Sequence, residues 1–185
     1  KFDLYDESAA VPLLAAGPDI PAGGVVETPV SLVDLYPSVL EAVGIDLTPE
    51  ERGLPGRSLW QTARGPEQER TVLSEYHAFA SRAGMFMLRN RRYKYIYYVG
   101  ERPQLFDLLA DPEERCDLAQ DAAYGGVVQQ FERGLLDPEA VDARAKADQA
   151  ARVEAYGGVE AVIRRGGFEN SPTPGEAPAF ERYVS

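Results

Sequence analysis

Few side chains in this sequence suit chemistry, and they are scattered. Lys1 precedes an acidic stretch, Lys1-x-x-x-Tyr5-Asp6-Glu7-Ser8; with nothing else to place it, a lysine there reads as a solvated cation. His77, the only histidine, ends the run Ser74-Glu75-Tyr76. An imidazole titrates near neutrality and suits proton donation or binding, although a histidine at a strand end is as often simply hydrogen-bonded. Asp3, Asp6 and Glu7 have the spacing of an oxygen-rich metal cluster. They equally suit an acidic first helical turn, which the helix dipole favours, and the turn is the reading adopted. Tyr93, Tyr95 and Tyr97 share one face of a strand, opposite Lys94, Ile96 and Tyr98. Such a stripe can bind a sugar or aryl group, but plain packing against a helix is preferred. Arg89, Arg91 and Arg92 make a basic turn that reads as a solvated hairpin tip. One cysteine, Cys116, and one histidine make a zinc site from this chain alone untenable.

The elements that must position these groups fall into two styles. Val11-Pro-Leu-Leu-Ala-Ala16, closed by Gly17-Pro18, reads as a short strand buried on both faces, as in a parallel sheet. Leu32, Leu35, Tyr36, Val39, Leu40 and Val43 follow the spacing of an amphipathic helix covering that sheet. Ser31 is its N-cap, Asp34 sits at N3, Gly44 at C′, and Pro37 kinks it or marks where its regular part begins. Residues 46 to 70 read as a loop with Leu54, Leu59 and Trp60 turned inward. Then come Thr71–Tyr76, Met85–Arg89, Tyr93–Val99 and Gln104–Asp107, closely spaced β-formers that imply an antiparallel sheet. Helix signals return at Val127–Leu136, at Glu139–Tyr156 after an Asp137 N-cap and Pro138, and at Val159–Arg165. The tail beyond Ser171 reads as extended.

At 185 residues the chain holds one domain, or a small domain with part of a larger one. A net charge of −11 argues against a nucleic-acid partner, and an anion site would need its own cluster of positive groups. No apolar run is long enough to cross a bilayer. The lone cysteine rules out an intrachain disulfide and leaves the compartment open between cytoplasm and periplasm. No initiator Met precedes Lys1, so the chain is expected to begin inside a domain.

Taken together, Lys1-x-x-x-Tyr5-Asp6-Glu7-Ser8 with Val11-Pro12-Leu13, Ser31-Leu-Val-Asp-Leu-Tyr-Pro37, and Leu105-Phe-Asp-Leu108 with Asp111-Pro-Glu113 and Asp117-Leu-Ala119 resemble the C-terminal part of a sulfatase of the alkaline phosphatase superfamily. One departure is Ala10, where the family has an arginine. The resemblance implies an α/β fold: the last strand and covering helix of a sulfatase-type mixed sheet over 1–70, a small antiparallel sheet domain over 71–120, and a helical and extended tail over 121–185.

It also implies roles. Lys1 falls on the family lysine that contacts the sulfate, and His77 ends a strand that in the family points to the mouth of the active site, placing it against the substrate. The complete enzyme is expected to use a calcium ion and a formylglycine nucleophile made from a cysteine or serine in C/S-x-P-x-R. That motif is absent, Cys116 being followed by Asp-Leu-Ala-Gln, and the family's metal-ligand pairs are absent too. No metal ligand and no cofactor are expected from this chain itself. The expected activity is sulfuric ester hydrolysis by the complete enzyme. Phosphonate or phosphate ester hydrolysis on the same scaffold and a non-catalytic module are the alternatives. The expected partners are a small sulfated substrate, the N-terminal remainder of the same enzyme, and further copies of the chain in a homo-oligomer.

Overall fold

The computed structural model describes residues 3–17, 20, 22–77, 81 and 83–164. Lys1 and the tail beyond Ser171 lie outside the described residues.

Four strands, β1 (Val72–Tyr76), β2 (Met85–Arg89), β3 (Tyr93–Tyr98) and β4 (Gln104–Asp107), form one antiparallel meander in the order β1-β2-β3-β4. The register pairs Ser74 with Met87, Met87 with Ile96, and Ile96 with Gln104. These segments are rich in β-branched and aromatic residues, and a three-residue turn returns the chain from β2 to β3. Asn90 makes this turn: its Oδ1 accepts the amides of Arg92 and Tyr93 at 2.9 and 2.7 Å.

Both faces of the sheet are covered. On one, Met85, Met87, Ile96 and Phe106 pack with Leu4, joined by Tyr5 and by Ala9 of the short helix α1 (Asp6–Ala9). On the other, Leu88, Tyr95 and Leu105 pack with Phe131 of α4 (Gly125–Glu132). Tyr95 stacks on Phe131 with ring centroids 5.8 Å apart, so the tyrosine stripe is packing. Burial pushes the Tyr95 hydroxyl well above its ordinary range, with Glu132 adding to the effect.

The long helix α5 (Pro138–Ala155) starts at Asp137, whose carboxylate accepts the Ala140 amide at 3.1 Å, with Pro138 at N1. Asp142 is its one buried residue. Polar contacts rather than apolar packing therefore hold it to the sheet. α6 (Val159–Arg164) follows.

The N-terminal third differs from expectation in an informative way. Val11–Ala16, expected as a buried strand, has no strand partner among the described residues, and Leu14 is 94% exposed. A strand exists only beside another strand, and the one sheet described lies elsewhere. The helix α2 (Leu35–Ala42) forms after a 3₁₀ turn over Leu32–Asp34, where Asp34 accepts the Ser31 amide at 2.8 Å. Its apolar stripe faces outward: Leu32 is 73% and Val39 58% exposed, whereas Asp34 is fully buried. The side that packs carries Pro37 and the polar Ser38. Ser38 Oγ accepts the Leu59 amide at 2.7 Å, and the Ser38 carbonyl accepts Trp60 Nε1 at 2.7 Å. Leu59 and Trp60 thus turn partly inward, on the short helix α3 (Leu59–Arg64) capped by Ser58, while Leu54 is exposed.

So continuous an apolar face is unusual on a monomer surface. The chain by itself is therefore expected to bind a hydrophobic dye and to self-associate. A monodisperse, dye-silent monomer in sedimentation and fluorescence measurements would contradict this.

Candidate functional site

The groups able to do chemistry gather in two clusters, one on each face of the sheet. Strand alternation puts Lys94 beside Ile96 on the face covered by the N-terminal segment. Lys94 is fully buried, and its ammonium pairs with the carboxylates of Asp6 and Glu114. It also lies 3.3 Å from the Leu4 carbonyl. Glu114 Oε2 accepts the Asp6 amide at 2.8 Å, and Arg89 Nη2 stands 3.8 Å from Asp6 Oδ2. Two cations and two carboxylates so neutralise each other, which is the condition for keeping a lysine out of water. Glu114 has φ 55°, an uncommon backbone for a residue with a side chain. Alongside, the hydroxyls of Tyr5 and Tyr98 both donate to Gln104 Oε1, at 2.9 and 2.8 Å. Lys1 is outside the described residues, but the segment that follows it is anchored from Leu4 onward.

His77 belongs to the other face. Its ring meets Phe86 edge-on, with centroids 5.1 Å apart. Nε2 lies 3.4 Å from Glu75 Oε2, and Nδ1 lies 3.9 Å from Asp142 Oδ1. The side chain is 20% exposed, and Nδ1 has no hydrogen-bond partner among the described residues. Burial alone would raise the Asp142 carboxyl. Hydrogen bonds from Lys146 Nζ at 2.6 Å and the Gly84 amide at 2.7 Å, with His77 nearby, instead hold it below the usual carboxylate range. Gly84 is required for this approach, because a Cβ there would sit 2.8 Å from both Asp142 Oδ1 and His77 Nδ1. The described structure therefore does not bring His77 and the Leu4–Asp6 segment together.

The motif at 105–119 is structural. Asp117 Oδ1 accepts the amides of Leu105 and Ala119 at 3.0 and 2.9 Å, Asp111 Oδ2 accepts the Cys116 amide at 2.7 Å, and Asp107 pairs with Arg92 at 2.8 Å. The guanidinium of Arg92 holds the Asp107 carboxyl below its usual range. These acidic residues fasten the turn after β4 and so place Glu114 against Lys94.

A calcium ion does not fit the described residues. The buried carboxylates are already engaged: Glu114 by Lys94, Asp34 by Arg70, Asp107 by Arg92, and Asp142 by Lys146, and the half-buried Asp6 also pairs with Lys94. No group of three or more His, Cys, Asp or Glu among the described residues could hold a metal ion. Cys116 is exposed and outside any C/S-x-P-x-R context, so it does not fit a formylglycine nucleophile. Among the described residues no helix is long and apolar enough to cross a membrane.

The Lys94 cluster and the Asp142–Gly84 contact were not expected from sequence. A signal for the first was available: a lysine alternating in register with Ile96 and Tyr98 must bury its charge.

A model of the N-sulphoglucosamine sulphohydrolase C-terminal family matches residues 1–140. Choline-sulfatase of Rhizobium meliloti (strain 1021) is 34% identical over 190 residues, which cover 100% of this chain and 36% of that protein. Arylsulfatase K of Mus musculus is 39% identical over 130 residues, 65% of this chain and 24% of that protein. Among solved structures, a phosphonate monoester hydrolase from Silicibacter pomeroyi superposes with a TM-score of 0.51 at 25% identity, over 64% of this chain and 26% of that one. The chain thus spans little more than a third of the first of these relatives and about a quarter of the second.

Proposed function

Because the chain belongs to the N-sulphoglucosamine sulphohydrolase C-terminal family, we propose that it is the C-terminal part of a sulfatase hydrolysing sulfate monoesters, in which Lys1 contacts the sulfate. The observation that carries this reading is the extent of the match, which starts at Lys1 and includes both the N-terminal segment and the sheet it packs on. Cleavage of a sulfate ester builds negative charge on the sulfonyl and leaving oxygens, and a fixed ammonium stabilises that charge. Lys1 acts as a charge, not as a proton donor, because an ordinary lysine stays protonated well above neutral pH. His77 is assigned to the substrate's leaving group. Its partial exposure supports that assignment.

The nucleophile and the calcium ion of such an enzyme belong to polypeptide outside this chain. The chain itself divides into 1–70, completing the catalytic domain, 71–120, the small sheet domain, and 121–185, the tail. The outward apolar face of α2 packs on the remainder of the catalytic domain. A homo-oligomer is the alternative occupant, and loss of dye binding when that remainder is present on one polypeptide separates the two. The likeness to a phosphonate monoester hydrolase favours one further reading, phosphonate or phosphate ester hydrolysis on the same scaffold. A non-catalytic module is the contrasting class.

The test begins with the purified chain and a chromogenic aryl sulfate. No turnover is expected, because neither an activated nucleophile nor a cation can be assembled from the residues present. Steady turnover with contaminants excluded would overturn the assignment of the nucleophile to other polypeptide.

A further inference from the structure

We propose that Asp142 is a positioning residue for His77: from α5 it fixes the backbone of Gly84, the ledge on which the imidazole lies. This rests on the reading of His77 as the leaving-group contact. β1 and β2 pair Tyr76 with Met85 and Glu75 with Phe86. One further step in that register sets His77 opposite Gly84, with Phe86 as its diagonal neighbour on the same face. The contacts agree with this placement. The ring meets Phe86 edge-on, and a Cβ on residue 84 would lie 2.8 Å from Nδ1 and 2.9 Å from Cε1. The imidazole fills the space that a side chain at 84 would take, so the Gly84 backbone sets its place. That backbone is held through both of its polar groups. The Gly84 carbonyl accepts the Val99 amide at 3.1 Å, and the Gly84 amide donates to Asp142 Oδ1 at 2.7 Å. Nδ1 itself is 3.9 Å from Asp142 Oδ1, beyond hydrogen-bond reach, so Asp142 acts through the backbone and not by taking a proton from the ring.

The way α5 docks suits this task. Its one buried residue is Asp142, and Glu139, three residues earlier on the same helix face, accepts the Tyr97 hydroxyl. Tyr97 is the β3 partner of Phe86, so the two carboxylates seat the helix over the corner of the sheet that carries His77. Apolar packing would hold a helix there with no charge to desolvate, but it has no direction. A carboxylate bonded to one particular amide fixes register. Lys146 Nζ, 2.6 Å from Asp142 Oδ2, compensates the buried charge. A group that meets the departing oxygen loses its effect with small misplacements, so the seating of α5 carries into rate. The family match ends at residue 140, so Asp142 brings this contact from chain beyond the matched region.

The experiment is a double-mutant cycle in the full-length enzyme, read as kcat on two aryl sulfates, one with a good and one with a poor leaving group. Each variant is assayed at a temperature where circular dichroism shows it folded. Asp142→Ala is expected to lower kcat about tenfold on the poor leaving group and less than about twofold on the good one, which departs without help. In a His77→Ala background it should lower kcat no further, because the residue it positions is gone. Asp142→Asn keeps an oxygen for the Gly84 amide and should stay within about twofold of wild type on both substrates. If Asp142→Ala does not fold, Gly84→Ala repeats the cycle, since its Cβ displaces the ring directly. The wild type supplies an independent arm by NMR. The His77 ring, assigned by its loss in His77→Gln, should show Overhauser contacts to the Gly84 α-protons, and the Gly84 amide should exchange slowly. Equal losses on both leaving groups, a loss undiminished in the His77→Ala background, an Asp142→Asn variant as slow as Asp142→Ala, or no contact between ring and Gly84 would each overturn the proposal. Wild-type kinetics of His77→Ala on both substrates would instead overturn the leaving-group reading, and the positioning role with it.

Discussion

Replacing Lys1 by Ala in the complete enzyme is expected to lower the rate of sulfate ester hydrolysis by about a hundredfold or more, the size usual for losing one preorganised electrostatic contact. The loss should appear in kcat and not mainly in KM, since the charge being stabilised grows as the S–O bond breaks. Lys1→Arg should recover only part of it, because a planar guanidinium does not place its charge where a compact ammonium does. His77→Ala should act differently, altering the pH dependence or the preference between good and poor leaving groups. Steady-state kinetics on two aryl sulfates of different leaving-group acidity separates these patterns. A Lys1→Ala variant with unchanged kcat would remove the proposed contact.

The second large effect concerns stability and lies in the N-terminal region. Asp34 is wholly buried and accepts the amides of Ser31 and Arg57 at 2.8 Å each, together with Nη1 and Nη2 of Arg70 at 2.7 Å each. This planar, two-pronged pairing is the strongest geometry available to a carboxylate. Asp34→Ala leaves the mostly buried Arg70 guanidinium and two amides without their acceptor, which should cost about 3–5 kcal/mol. Asp34→Asn keeps the shape and should cost less. The pH dependence has a definite sign. Burial works to raise this carboxyl, but the bonds from Arg70 and the two amides outweigh it and leave it below the ordinary aspartate value of about 3.9. The contribution is therefore fully present above that value and is lost as pH falls through the lower folded-state value. Urea unfolding of wild type and Asp34→Asn should show a gap that is constant near neutrality and narrows on acidification below about pH 4. An Asp34→Ala variant within 0.5 kcal/mol of wild type, on the order of an ordinary surface change, would show the cluster to be unimportant.

The sheet was legible because its signals are local. Thr71–Tyr76, Met85–Arg89, Tyr93–Val99 and Gln104–Asp107 each fall within a residue of the observed strands, and a meander needs only neighbours in sequence to pair. The Asp137 cap and Pro138 placed the start of α5 for the same reason. Val11–Ala16 and the stripe of α2 show where this reasoning stops. Periodicity tells which face of an element favours burial, but not whether the covering surface lies in the same stretch of chain. Leu32, Val39 and Val43 carry the right spacing yet face outward, while Asp34 and Ser38 are buried by partners at Arg70 and Trp60 that no spacing rule connects. The site divides in the same way. The acidic turn at Asp6 was readable from dipole arguments, but its partner Lys94 lies 88 residues away and Glu114 a further 20 beyond. Lys1 could be singled out only through a family likeness, since no neighbouring residue in sequence reveals what an ammonium faces.

Turnover by the full-length enzyme, measured on an aryl sulfate and on an aryl phosphonate with the same leaving group, tests the proposed function most directly. The sulfate ester should be the better substrate in kcat/KM, and its hydrolysis should fall by about two orders of magnitude in Lys1→Ala. Hydrolysis of the phosphonate without the sulfate, or of neither, would contradict assignment of this chain to a sulfate ester hydrolase.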